Sequence, residues 1–129
     1  MNFMTAQQHI IRVYTEDVDF MGIVYHANYL RYLERARAEL LRNNNWTLSE
    51  LIKRDVLFAI RELTIKYLYP AKLDDVLTIV TQIKNVKACS FMFEQIVTNQ
   101  LGLTVCEAQI QAVCVNSELK PQQLPNFGG

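Results

Sequence analysis

One stretch only, residues 27–42 (ANYLRYLERARAELLR), carries the period of about 3.6 residues expected of a long amphipathic helix, and from residue 60 onward the period falls to two. A chain with a single such helix, followed by strands on hairpin-length links, has few folds open to it. The strands must pair as an antiparallel sheet, and that sheet must bury its apolar face against the one helix, an α+β architecture. Within the helix, Tyr29, Leu30, Leu33, Ala36, Leu40 and Leu41 share one arc, while Arg31, Glu34, Arg35 and Arg42 occupy the other. Arg37 falls inside the apolar arc. A buried guanidinium is costly unless paired, so it is expected to meet a carboxylate or backbone carbonyls, or to snorkel to an edge. The run NNNW at 43–46 ends the helix, because asparagine tolerates left-handed backbone. Residues 47–53 add a short helical turn, with Thr47 and Glu50 spaced as a capping box.

The strands are read from alternation. A first strand covers about 9–15. In 60–69, Leu63, Ile65, Tyr67 and Tyr69 alternate with Glu62, Thr64 and Lys66, as in a strand with one covered face, and Pro70 closes it. Around 76–84, Leu77, Ile79 and Ile83 oppose Thr78, Gln82 and Lys84. Residues 90–98 are aromatic and β-branched without clean alternation, which suggests a strand covered on both faces or at an interface. In 103–115, Cys106, Ala108, Ile110, Ala112 and Cys114 form a small-residue face, expected to let the helix lie close. NVKA at 85–88 and NQLG at 99–102 are turns, and 118–129 reads as a tail.

Composition narrows the function. A chain of 129 residues, half of them apolar, makes one domain, 1–129, with its core at about 9–117. Thirteen basic and thirteen acidic side chains cancel, so no global field recruits nucleic acid or an anionic membrane. Residues 1–11 lack a basic n-region and a long apolar core, and no later apolar run reaches membrane length, so a cytoplasmic protein without a transmembrane segment is expected. Cys89, Cys106 and Cys114 lack the spacing of a zinc site or a disulfide framework and are read as small core hydrophobes; no metal or cofactor is expected.

Chemistry concentrates in EDVDFMGIVYHANY, residues 16–29, between the first strand and the helix. Asp17 and Asp19 hang near the helix's amino end, where free N–H groups concentrate positive potential. A carbonyl oxygen gaining charge is stabilised by an N–H near His26 or Ala27, while a nearby carboxylate attacks the carbonyl or orients a water. Acyl transfer or hydrolysis then needs no serine, cysteine or metal. Gly22 lets backbone approach a ligand. The competing reading makes Asp17, Asp19 and Gly22 turn residues only. Asp17 would point away from Asp19 in extended chain, which leaves it to turn stabilisation.

The same residues resemble a known family. RVYTEDVDFMGIVYHANYLRYLERARAELLR, then LTIKYLYPAKLDDVLTI and the closing AVCVN and LKPQQLP, are similar to the 4-hydroxybenzoyl-CoA thioesterase family, and within it to the Tol-Pal-associated bacterial acyl-CoA thioesterases. The likeness runs from about Ile11 to Pro125, and the motif D-x-D-x-x-G-x-V-Y-H-x-x-Y is complete as Asp17, Asp19, Gly22, Val24, Tyr25, His26 and Tyr29. It implies the hotdog fold, one long helix wrapped by a curved five-stranded antiparallel sheet, and hydrolysis of a short- or medium-chain, or aromatic, acyl-CoA. It also implies Asp19 as nucleophile or general base, with the N–H of His26 as carbonyl donor. The His26 imidazole either positions water or the leaving thiolate, or is a helix-start hydrogen-bond partner. Tyr25 and Tyr29 are expected to wall the substrate pocket, Asn28 to hold the helix start, and Lys87 and Ser90 to meet CoA. Val18, Phe20 and Met21 are bulkier than the threonine, alanine and glycine frequent in that subfamily, and are expected to narrow or reshape the acyl pocket. The likeness further implies a homodimer or homotetramer with sites at subunit boundaries. Two rivals remain: a non-catalytic module binding acyl-CoA or acyl carrier protein near the cell envelope machinery, and a hotdog dehydratase, which the motif order disfavours.

Overall fold

The computed structural model describes residues 5–125. Its order is β1 (Gln7–Arg12), a 3-10 turn at Thr15–Asp17, α1 (Asn28–Asn43), α2 (Leu48–Lys53), β2 (Leu57–Tyr67), β3 (Val76–Lys84), β4 (Ser90–Thr98) and β5 (Thr104–Val115). The strands form one five-stranded sheet in the order β1-β3-β4-β5-β2 with every neighbouring pair antiparallel. Register shifts at Ile60/Glu62 and Val97/Thr98 bend the sheet over the helix, as bulges do.

The helix ends for the reason its sequence indicates. Asn44 Nδ2 donates to the Leu40 carbonyl at 2.7 Å, and Asn45 takes φ 66, a left-handed stop that asparagine tolerates. Its buried stripe is Tyr29, Tyr32, Leu33, Ala36, Leu40 and Leu41. Two assignments change: Tyr32 joins the stripe, and Leu30, at the edge of the arc, is 39% exposed. Among the described residues, Arg37 hydrogen-bonds neither a carboxylate nor a backbone carbonyl. Its Nη1 donates to Gln95 Oε1 at 3.1 Å, with the guanidinium 5.7 Å from the Phe93 ring centre. At α2, half of the expected capping box forms: Thr47 Oγ1 accepts the Glu50 N–H at 3.3 Å, while the Glu50 carboxylate pairs with Lys53.

β3 buries Leu77, Ile79, Thr81 and Ile83 on one side, as its alternation requires. β4 also alternates cleanly, contrary to expectation: Phe91, Phe93, Gln95 and Val97 are buried, and the intervening residues are half-buried. The small side chains of β5 are buried, but the helix backbone comes nearest β1 and β3 instead. Ala112 sits opposite both Phe91 and Ile60, and Cys114 opposite Phe58, so the small residues make room for large neighbours on adjacent strands. The expected covered face on β2 forms only in part within one chain, where Ile65 packs against the core. β2 is an edge strand, and Leu63 and Tyr67, with Tyr69 just beyond, remain exposed. The tail also departs from expectation over its described part. Pro121 bridges to Val115, Gln122 N–H donates to Cys114 and Leu124 N–H to Ala88, and Leu124 packs on the core; residues 126–129 lie outside the described residues. No helix of the described residues is long and apolar enough to cross a membrane.

Candidate active site

The connection from β1 to α1 is folded by its own polar residues. Val13 N–H donates to the Asp75 carbonyl at 2.9 Å and Asp74 N–H to the Val13 carbonyl at 3.0 Å, which moors the loop to the start of β3. Val18 then bridges to Val24, and Asp19 and Ile23 bond across a tight turn. Asp19 Oδ1 accepts the Met21 N–H at 2.8 Å, the local bond that makes aspartate a turn residue. Gly22 closes the turn with φ +80, a conformation that side chains disfavour. Ile23 bridges to Lys72 and Val24 N–H donates to the Ala71 carbonyl, so the turn is docked on the link between β2 and β3.

The result is a cleft of about 350 Å3, lined by Asp17, Val18 and Asp19 from the loop and by Ala27, Asn28 and Arg31 from the helix entrance, with Glu16 and Tyr25. Asp19 and the amino end of the long helix therefore share one cleft. The N-cap is Ala27, which has no side chain to cap with, and neither the His26 nor the Ala27 N–H forms a hydrogen bond among the described residues. Uncapped amides at the positive end of a 16-residue helix suit a carbonyl oxygen that gains charge.

Asp17 lies in a 3-10 turn and not in extended chain, so the alternation that would have sent it away from Asp19 does not apply, and both carboxylates line the cleft. Its Oδ1 accepts Asn28 Nδ2–H at 2.9 Å and its Oδ2 the Tyr14 N–H at 2.9 Å. Asn28 thus ties the first residue of the helix to the loop. Partial burial pushes the Asp17 carboxyl up, but the bonds from Tyr14 and Asn28, helped by Tyr32 and Arg35 nearby, outweigh it and hold the group below the usual range.

Other expected site residues are placed differently. The His26 imidazole is exposed, tilted against the Tyr25 ring with centres 4.6 Å apart and edge-on to Tyr67, outside the cleft lining; the Tyr67 hydroxyl donates to the His26 carbonyl at 3.1 Å. Tyr25 does line the cleft. Tyr29 is buried in the core, where its hydroxyl accepts the Ala71 N–H at 3.2 Å, and burial pushes the phenol up. Gly22 serves the turn and does not line the cleft. Lys87, in the β3–β4 connection, and Ser90, the first residue of β4, are separated from the Asp19 loop by the length of β3, roughly 30 Å of strand at about 3.3 Å per residue. Phe20, 99% exposed, and Met21, 68% exposed, point to solvent and narrow nothing; only Val18 of the three bulky residues reaches the cleft. Arg31, Tyr67 and Tyr32 escaped the sequence reading. Arg31 follows Asn28 by three, which places it on the same helix side. Tyr32 is fully buried near Asp17 with its hydroxyl unpartnered, and burial followed by that carboxylate pushes its titration well above the ordinary phenol range.

Residues 13–127 match the thioesterase-like superfamily. The acyl-CoA thioester hydrolase YbgC of Escherichia coli O6:H1 is 40% identical over 116 residues, covering 89% of this chain and 87% of that protein. The acyl-CoA thioesterase YbgC of Haemophilus influenzae is 42% identical over 118 residues, 89% and 85% of the two chains. A probable thioesterase from Bartonella henselae, known from its crystal structure, superposes with a TM-score of 0.87 at 32% identity, covering 94% of this chain and 100% of that one. The chain belongs to the thioesterase-like superfamily, and its sheet wrapped around one helix is the hotdog fold. It is an enzyme of the thioester hydrolase class.

Proposed function

We propose that the protein hydrolyses acyl-CoA to a free acid and CoA, through a cleft in which Asp19 faces the uncapped amides of α1. The observation that carries this reading is the shared cleft: a carboxylate with Oδ1 committed to Met21 and Oδ2 without a partner among the described residues, beside the entrance to a helix whose N-cap is alanine. The thioester carbonyl oxygen lies against the His26 and Ala27 N–H groups. Asp19 acts as general base on water, or attacks as nucleophile to give an anhydride that water cleaves. In either case the C–S bond breaks, CoA leaves as thiolate, and a proton from water completes the thiol. Removing one such oxyanion donor costs on the order of a hundredfold to a thousandfold in rate, which is why an uncapped amide pair supports catalysis without metal.

The finer assignments are part of the same proposal: membership of the 4-hydroxybenzoyl-CoA thioesterase family, a short, medium or aromatic acyl group, one domain over residues 1–129, and a cytoplasmic location. Acyl carrier protein is the alternative carrier of the thioester. The exposed β2 edge, with Ile60, Leu63 and Tyr67 uncovered, supports a homodimer or homotetramer. Lys87 and Ser90, far from Asp19 in one chain, contribute to CoA binding only where a second copy brings them to the cleft.

Thiol release across aliphatic and aromatic acyl-CoAs tests the reading. The wild type is expected to turn over at least one class, and Asp19→Asn to lose on the order of 10² to 10⁴ in kcat with its melting temperature kept. Binding of acyl-CoA without any thiol release would instead identify a carrier module.

A further inference from the structure

Asp17 is bonded on both sides of the turn that presents Asp19. Toward the loop entrance, its Oδ2 takes the Tyr14 N–H. Toward the helix, its Oδ1 takes Asn28 Nδ2–H, and its main-chain carbonyl takes the Tyr25 N–H at 3.1 Å. The turn carrying Asp19 springs from the Val18–Val24 bridge, immediately after Asp17. Residues 26 and 27, whose amides are unpaired, lie between Tyr25 and Asn28, the two residues that Asp17 holds. Both carboxylate oxygens face donors, so the site requires two acceptors. An asparagine at 17 offers one acceptor and sets its own N–H against a second donor. The buried Tyr32 hydroxyl, unpartnered beside this carboxylate, is a further donor within the same pocket.

We propose that Asp17 is a positioning residue, clamping the His26–Ala27 amides in register with Asp19 through its bonds to Asn28, Tyr25 and Tyr14. This rests on the thioesterase reading above and deepens it. A displacement of about 1 Å between reacting groups costs on the order of a hundredfold in rate, so loosening the clamp lowers turnover without removing any group that touches substrate.

The test is a polarity swap in the full-length protein. Asp17→Asn lowers kcat about tenfold to a hundredfold with KM within about threefold. Adding Asn28→Asp lets the new amide at 17 donate to the new carboxylate at 28 while its oxygen still accepts from Tyr14, and this recovers most of the lost kcat. Amide hydrogen exchange at Tyr25 and Asn28, faster in the single variant and slowed again in the swap, reads the clamp independently of activity. Wild-type kcat and wild-type exchange in Asp17→Asn overturn the proposal. So does a swap as inactive as Asp19→Asn, which would make Asp17 a group acting on substrate. A wild type that releases no thiol defeats the thioesterase reading alone, and the exchange measurement then decides whether Asp17 clamps the loop.

Discussion

The middle of α1 and its start both carry polar groups against the sheet, and they treat them in opposite ways. At the middle, Gln95 of β4 is fully buried and used at both ends of its amide: Oε1 accepts from Arg37, and Nε2 donates to the Leu33 carbonyl and to Thr81 Oγ1, each at 3.0 Å. At the start, Asp17 is equally committed, but two main-chain amides and one oxygen of Asp19 have no hydrogen-bond partner among the described residues beside a cleft. Burial with full pairing specifies structure, since an unpaired buried polar group costs about 1–3 kcal/mol. Accessible donors and acceptors left open next to one another are what a reacting group can use. Arg37, the one charge inside the apolar stripe, belongs to the first kind. Burial lowers its basicity against the opposing pull of Glu34, and a neutral amide with an aromatic ring suffices to hold it.

That contrast can be broken by exchanging the consequences of mutation. Asp19→Asn is expected to show the largest effect, a loss of roughly 3–5 kcal/mol of transition-state stabilisation with little change in the unfolding midpoint, read by thiol release and thermal denaturation together. Gln95→Ala is expected to do the reverse. It strands Arg37, Thr81 and the Leu33 carbonyl and lowers stability by about 2–4 kcal/mol, measured by urea unfolding, with kcat within about twofold at temperatures where the variant is folded. Equal losses of activity in both variants would erase the distinction between the two regions. Tyr32→Phe sharpens it further: the hydroxyl lies beside Asp17 short of full hydrogen-bond geometry, so its removal should change the unfolding free energy by less than about 1 kcal/mol.

The smallest expected effect is on acid stability. The Asp17 carboxyl titrates lower in the folded chain than when unfolded, so its stabilising contribution is present above about pH 4 and disappears as pH falls through the folded value. The melting-temperature gap between wild type and Asp17→Asn should therefore narrow on acidification below about pH 4. A gap constant with pH would mean that the carboxylate charge does not stabilise the fold.

Much of the architecture was legible because periodicity reports burial directly. The helix expected from about residue 27 to 42 is Asn28–Asn43, and the four later strands fall where alternation or β-rich composition placed them. Alternation failed where a neighbour determined burial. β2 has an apolar set only partly covered in one chain, with Ile65 on the core and Leu63 and Tyr67 exposed, and the small residues of β5 accommodate Phe58 and Phe91 in place of the helix. The candidate site was legible as a motif and only partly as an arrangement. Asp19, Tyr25 and Asn28 do meet at one cleft, while Tyr29 is absorbed into the core and Lys87 and Ser90 lie a strand's length away.

Residue order alone determined that this chain has one amphipathic helix, an antiparallel sheet, and two acids with a glycine just before the helix entrance, because these follow from local periods and local turn chemistry. Tertiary structure decided which acids share the cleft, that Asp17 bonds across the loop to Tyr14 and Asn28, and that the His26 and Ala27 amides stay uncapped. Hydrogen bonds between residues eleven positions apart depend on how the 3-10 turn and the docked turn orient the chain, and no local pattern encodes that orientation.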